Sequence, residues 1–431
     1  MKGLTLIITV CLPLLLTANT ITVDPAGDVT ALRQALGLAS PGDTIVIKTG
    51  TYREGNIVID RPVTLIGEGL PVLDGEGKYE ILTINSHDVT VRGIRFIRTG
   101  ISSIHDLAAV SVNDSRNVTV ADNQFYDTFF AIRFSNASDG RVENNEMQAL
   151  GSAEYEIGNG VHMWKCTRMQ VKNNDIRGHR DGIYFEFVTE SHITGNTSED
   201  NIRYGLHFMF SHNDEYRNNR FINNGAGVAV MYTHGVRMLD NIFERNWGGA
   251  SYGLLLKDIR DSQVTGNQFI KNTIGIHMEG VSRTTFHEND FNANGYAIRL
   301  QASCDDNTFF RNNFSGNTFD LTTNGMMVLN TLQENYWDRY QGYDLDRDGI
   351  GDVPYRPVSI YAMIVERIPA AVLLWRSFLI MLLDRAEKVV PAVTPENLKD
   401  DSPVMKPYDR TRKHQQALRE TAGACRREYT I

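Results

Sequence analysis

The sequence predicts an all-β protein, a right-handed parallel β-helix with about 22 to 23 residues per coil. The first observation behind this is a triplet of Asn, any residue and a large apolar residue: NQF at 123, NEM at 145, NDI at 174, a weaker NTS at 196, NRF at 219, NIF at 241, NQF at 267, NDF at 289, NNF at 312 and NYW at 335. A period in this range means one supersecondary unit per repeat, stacked into a solenoid. The second is an alternating strand that recurs in step with it: AIRF at 131, GVHM at 160, GIYF at 182, GLHF at 205, GVAV at 227, GLLL at 253, GIHM at 275 and AIRL at 297. The third is the corners, which are Asn, Gly, Asp and Ser, with no helical period inside the repeats. Asparagines at equivalent turns of adjacent coils can stack as a hydrogen-bonded ladder.

The chain opens with MKGLTLIITVCLPLLLTANT, a lysine, an apolar run and a small-residue zone, the layout of a secretory signal peptide over residues 1–20. Cleavage is expected between Ala18 and Thr20, with the mature protein in a bacterial periplasm. Read instead as an anchor, the same run is short for a spanning helix. DVTALRQALGLAS, 28 to 40, reads as an amphipathic helix capping the solenoid within an N-terminal unit of residues 21–90. The central repeats run from 91 to 340. Three longer steps place ISSIHDL, GSAEYEIG and NWGGAS between the Asn strand and the Gly strand, so all three loops are expected at one corner of the cross-section. Insertions on one face mark the binding face of many repeat proteins, although surface loops also lengthen at little cost.

Beyond the repeats, YDLDRDGIGD sets Asp344, Asp346 and Asp348 before Gly349, with Asp352 after, inside an Asp-rich cap of 341–366. Alternating carboxylates followed by glycine match the start of a calcium loop. Position 12 is Tyr355 where an EF-hand has Glu, and no flanking helices are evident, so a calcium-stapled cap stands beside a plain Asp-rich turn. Residues 367–390 read as an apolar C-terminal helix, too short to cross a bilayer, that lies on the membrane or docks on a membrane subunit. Residues 391–431 read as a polar, extended or disordered tail.

Composition bounds function. The chain has 431 residues and a formal charge of -9, and no clustered basic face in its first 370 residues, which argues against nucleic acid as a partner, a short Arg/Lys-rich stretch near 409–427 reading as a solvated end. Four scattered cysteines propose neither a disulfide framework nor a zinc site. Stacking the Gly strands gives an outward row of Arg133, His162, Tyr184, His207, Ala229, Leu255, His277 and Arg299. Two residues on, a second row reads Trp164, Glu186, Met209, Met231, Lys257, Glu279 and Gln301. Met209 should therefore lie beside Met231, and His212 beside His234, with His207 nearby. Imidazole and thioether suit copper, Cu(I) above all, better than magnesium or calcium. The same residues would also serve as a partner-facing patch. Within RYGLHFMFSH, Leu206, Phe208 and Phe210 are expected in the core.

The runs GHRDGIYFEFVTESHITGN (178–196), RYGLHFMFSHNDEYRNNRF (203–221), NGAGVAVMYT (224–233) and NYWDRYQGYDLDRDGIGDVPYRP (335–357) resemble the NosD family of periplasmic maturation proteins of nitrous-oxide reductase. The resemblance spans nearly the whole chain and is weak in the polar tail. It implies a non-catalytic component working with an ATP-binding-cassette permease and its ATPase, a membrane-anchored lipoprotein copper chaperone and the reductase whose copper centres are assembled. The chain lacks a GxxxxGK[ST] loop, consistent with ATP hydrolysis on a separate chain. Copper ligation by His207, Met209, His212, Met231 and His234 is read from the rows, not from the resemblance. The competing class is a polysaccharide lyase, epimerase or hydrolase on a pectate-lyase-like β-helix. Its candidate acids and bases are His179, Asp181, Glu186, Asp305 and Asp306. A purely structural surface repeat protein is the third reading, and it has no use for an apolar C-terminal helix.

Overall fold

The computed structural model describes residues 18–410 apart from 152, 250, 326–328, 376, 390–394 and 396. Most of the expected signal peptide, Cys11, Cys425 and the tail from 411 lie outside the described residues. The chain winds as a right-handed parallel β-helix of about 14 turns. Three parallel sheets of 14, 13 and 12 strands run its length, visited in that order within each coil. A representative coil passes through Thr119–Ala121 in the first sheet, Gln124–Tyr126 in the second and Phe130–Ser135 in the third.

The corner between the first two sheets is built from two residues. The first takes a left-handed backbone, at Asp122, Asn144, Asn173, Gly195, Asn218, Asp240, Gly266, Glu288, Arg311 and Glu334. Asn, Asp and Gly tolerate that conformation best, which explains most of this row. Gly266 has a further reason, because a Cβ there would lie 2.3 Å from Oδ1 of Asp240. The second residue is the buried Asn. In the middle of the row, Nδ2 of Asn241 donates to Tyr216 O and to Oδ1 of Asn267, both at 3.0 Å, while its own Oδ1 accepts from N and Nδ2 of Asn219, both at 3.0 Å. The apolar member of each triplet points inward, and Phe221, Phe243, Phe269, Phe291, Phe314 and Trp337 stack at 4.1 to 5.5 Å between ring centroids.

A second buried ladder, Asn201, Asn224, Asn246, Asn272, Asn294 and Asn317, lines the corner before the third sheet. It falls outside the triplet and was not foreseen. The three insertions do sit at this one corner, between second-sheet and third-sheet strands. At the N-terminal end, helix α1 (Leu32–Leu38) buries Leu32, Ala35 and Leu36. Its first two N–H groups donate to the Glu54 carboxylate at 2.7 and 2.9 Å.

The C-terminal end departs from expectation twice. The apolar segment is not one helix. It is α2 (Ile360–Arg367), a 3-10 turn over Pro369–Leu374 and α3 (Phe378–Val389), because Pro369 cannot continue the hydrogen bonding of α2. Tyr361 and Trp375 pack on Phe319 of the last third-sheet strand, and Glu366 pairs with Arg299 at 2.7 Å. The start of the tail is also ordered. Asp400 bridges to Leu332 and Val404 to Tyr336, extending two sheets beyond the last repeat. Asp400 Oδ2 accepts from N and Nδ2 of Asn335, at 3.0 and 2.9 Å, and from Trp337 Nε1 at 3.1 Å. A carboxylate thus supplies the acceptor that the end of the Asn row needs.

Asn241→Ala removes the side-chain partner of Tyr216 O and of two Asn219 hydrogens, while Asn267 Oδ1 keeps the backbone N–H of residue 241. At about 1–3 kcal/mol for a buried polar group left unsatisfied, the loss should reach about 3 kcal/mol, measured as a fall in urea midpoint at unchanged m-value.

Candidate functional site

The register of the third sheet follows the first outward row throughout and the second as far as Glu279, Gln301 lying past the last paired residue. Arg133, His162, Tyr184, His207, Ala229, Leu255, His277 and Arg299 are successive Cα partners, and so are Trp164, Glu186, Met209, Met231, Lys257 and Glu279. Met209 and Met231 are side by side and half-buried on the outer face. Their charged neighbours are engaged elsewhere, Glu186 accepting from the Tyr184 hydroxyl at 3.3 Å and Lys257 pairing with Glu279 at 3.3 Å. The thioethers are therefore the soft groups of this stretch without a competing charge in their own row.

At the following corner the rings of His212 and His234 stack with centroids 4.2 Å apart and planes 8° from parallel. Nδ1 of His212 lies 3.2 Å from Thr233 Oγ1. Burial, then the neighbouring His234 and Arg260, hold the His212 imidazole below its ordinary pKa, which keeps it neutral and able to ligate. Between the two pairs runs an aromatic stack, Phe187, Phe210 and Tyr232, at 5.3 and 5.1 Å. Phe210 was expected in the core, but at φ +51° it turns out of the strand and is exposed. No alternation rule finds this row, since the left-handed corner resets the pattern.

His207 stands apart from the other imidazoles. It is buried between Tyr184 and Tyr204, with Nδ1 3.9 Å from the Asp181 carboxylate. Among the described residues, no three imidazoles converge. The one group of three His, Cys, Asp or Glu with mutually close ligand atoms is Asp344, Asp346 and Asp348, within 4.8 Å. That loop is closed by its own backbone, with Gly349 N–H donating to Asp344 at 3.0 Å and Leu345 N–H to Asp352 at 2.7 Å. Three oxygens at this spacing fit a hard cation.

The acid and base candidates for sugar chemistry are not brought together. Asp181 and Glu186 bound one third-sheet strand, while Asp305 lies on the corner that follows the third sheet. His179 is wholly buried, and burial pushes its imidazole down to about 4. The thiols of Cys166 and Cys304 are buried and unpaired, the first pushed up to about 11 by burial.

A family model described as "Periplasmic copper-binding protein (NosD)" matches residues 148–342. Two relatives named "Probable ABC transporter binding protein NosD" are each 28% identical to the chain over 84% of its length. The one from Stutzerimonas stutzeri is covered over 86% of its own length and the one from Pseudomonas aeruginosa over 87%. The chain is similar to the NosD family. The NosD match takes in His207, Met209, His212, Met231 and His234 and ends before Asp344. Copper binding in the periplasm is thus the family's description, and the NosD relatives carry a transporter-binding name. Solved structures add the fold alone. An α-1,3-glucanase catalytic domain superposes with TM-score 0.60 at 13% identity, covering 74% of this chain and 69% of its own. The Streptococcus pneumoniae adhesin PfbA superposes with TM-score 0.51 at 14%, covering 78% and 96%.

The buried His179 gives a pH signature. Above about pH 6.5 both folded and unfolded chains hold it neutral. Between about 6.5 and 4 the unfolded chain takes a proton that the folded one refuses, so folding stability falls as pH drops. The slope from this group is about 1.4 kcal/mol per pH unit. His179→Leu should flatten urea-derived stability between pH 6.5 and 4.5 relative to the parent.

Proposed function

We propose that this chain is a non-catalytic periplasmic factor that hands copper, as its cargo, from a lipoprotein copper chaperone toward nitrous-oxide reductase, while docked on an ABC-type permease whose ATPase lies on a separate chain. The observation that carries the reading is the in-register Met209–Met231 pair, flanked by the stacked His212–His234 pair, within the coils that the copper-binding family model covers. Thioether and neutral imidazole favour Cu(I), and the paired thioethers offer a weakly held donor set, as a handover site requires. His207, placed in the same set from the sequence, is buried apart from both pairs and stands outside it. The exposed stack of Phe187, Phe210 and Tyr232 gives the chaperone or the reductase an apolar platform beside the thioethers.

The transporter contact is assigned to the C-terminal helices. Their inner side is held by Phe319 and Arg299 of the last coils, and their outer side presents Leu373 at 86% exposure, Phe378 at 74% and Leu379 at 62%. No described helix is long and apolar enough to cross a membrane, so this surface suits an interface or a membrane subunit. A cavity of about 1250 Å³, lined in part by Trp375 and Met381, opens between these helices and the last coil and extends the same face. The Asp344, Asp346, Asp348 and Asp352 loop is assigned a structural role at this end, with calcium as the cation that fits it.

Two measurements test the reading separately. Met209→Leu/Met231→Leu should weaken Cu(I) binding at least about tenfold in a chelator competition, and equal binding would remove the thioether site. Leu373→Glu/Phe378→Glu/Leu379→Glu should abolish co-purification with the permease and ATPase from membranes. Retention in that variant would remove the docking assignment.

A further inference from the structure

Asp181 opens the third-sheet strand Asp181–Glu186, and His207 lies in the next one, Tyr204–Met209. Asp181 is 1% exposed and His207 5%. Neither oxygen of the carboxylate and neither nitrogen of the imidazole has a hydrogen-bond partner. The two groups face each other, Nδ1 of His207 standing 3.9 Å from Oδ2 of Asp181. On the other side Nε of Arg203 is 3.6 Å from Oδ1, beyond hydrogen-bond reach, and the same guanidinium reaches outward to Glu154 at 3.4 Å. Tyr204, the register partner of Asp181, packs on the His207 ring at 4.7 Å, and Tyr184 meets it edge-on at 5.1 Å.

Buried carboxylates and imidazoles are ordinarily hydrogen-bonded, and leaving one unpaired is costly. Here four such atoms gather at one place on a strand whose backbone is fixed by its neighbours on both sides. Donors each about 2.0 to 2.2 Å from one ion stand roughly 3 to 4 Å apart across ordinary ligand angles. The observed 3.9 Å separation falls in that range. An imidazole nitrogen with a carboxylate oxygen is a borderline donor set, unlike the thioether pair two residues along the strand.

We propose that Asp181 and His207 hold a divalent cation of the borderline class, Zn(II) or Cu(II). This is a second metal site, of different donor type and for a different oxidation state than the Met209–Met231 site, and it stands without it. Glu154 belongs to the 151–158 insertion, so the Arg203–Glu154 pair ties that loop to the edge of the site.

The test is equilibrium dialysis of the mature chain against Zn(II) and, separately, Cu(II), in an Asp344→Asn/Asp348→Asn background that removes the Asp-rich loop as a source of binding. One equivalent of metal is expected, with affinity reduced about tenfold or more by Asp181→Asn and by His207→Gln. The Cu(II) form should show coupling to a single imidazole nitrogen that His207→Gln abolishes. Far-UV circular dichroism checks that each variant is folded, and either variant alone decides if the other is not. No retained metal in the background protein, or equal retention in a folded variant, would overturn the proposal. Cu(I) competition on the same samples is a separate readout. Uptake of Zn(II) without Cu(I) sinks the thioether reading and spares this site, and the reverse sinks this site alone.

Discussion

One constraint organises the molecule: the amide of each corner asparagine must be satisfied by its counterparts one coil up and one coil down. A side-chain amide offers two donor hydrogens and an oxygen with two lone pairs. Asn241 uses all four, on Tyr216, Asn267 and the two donors of Asn219. Because Asn241 is at 0% exposure, water cannot substitute for a missing neighbour. The amide therefore fixes coil register, and register places every outward side chain on the third sheet. Slipping a strand by one residue would expose the inner face and bury the outer one, so the row containing Met209 and Met231 is specified by residues on another side of the cross-section.

A ladder of this kind has a problem only at its ends: at the N-terminal end Asn123 Oδ1 takes the Ile94 N–H at 3.0 Å, and the C-terminal end is closed by a carboxylate. Asp400 replaces the next asparagine, accepting from Asn335 twice and from Trp337, and the tail around it adds strand pairing. Burial raises the Asp400 carboxyl, and the hydrogen bonds from Asn335 and Trp337 work against that rise. At the opposite end Glu54 takes the first N–H groups of α1, whose apolar face covers the open core. Capping matters because an uncovered coil presents a row of backbone groups to which another chain could add.

What the sequence made legible follows from this periodicity. The coil length, the inward aromatics, both outward rows and the insertion corner all derive from the spacing of Asn123, Asn145 and their successors, since each is a matter of register alone. Phe210 escaped because a left-handed residue at a corner breaks alternation, and few bulky side chains take that conformation. The ladder from Asn201 to Asn317 escaped because its members sit outside the triplet. Asp400 escaped because a polar, proline-flanked segment reads as solvated unless its one buried contact is known. The burial of His207 was illegible for a related reason, since Asp181 opens its strand and reaches an imidazole three residues past its register partner Tyr204 in the next coil.

The stiffness of such a rod bears on how it can pass a metal on. The strand carrying Met209 is bonded to both neighbours, so Met209 cannot leave Met231 without breaking ladder bonds. A solenoid is stabilised by its nearest-neighbour interfaces, and a local opening would cost several of them at once. Ligand exchange on this surface must then come from side-chain rotation or from donors brought by a partner. The flexible thioether suits that role better than a constrained imidazole–carboxylate pair. Movement driven at the C-terminal helices would reach the central coils as rotation of the whole rod, with the metal ligands keeping their mutual geometry. On this physical basis a transporter would control which partner the site faces, and leave the affinity of the site itself unchanged.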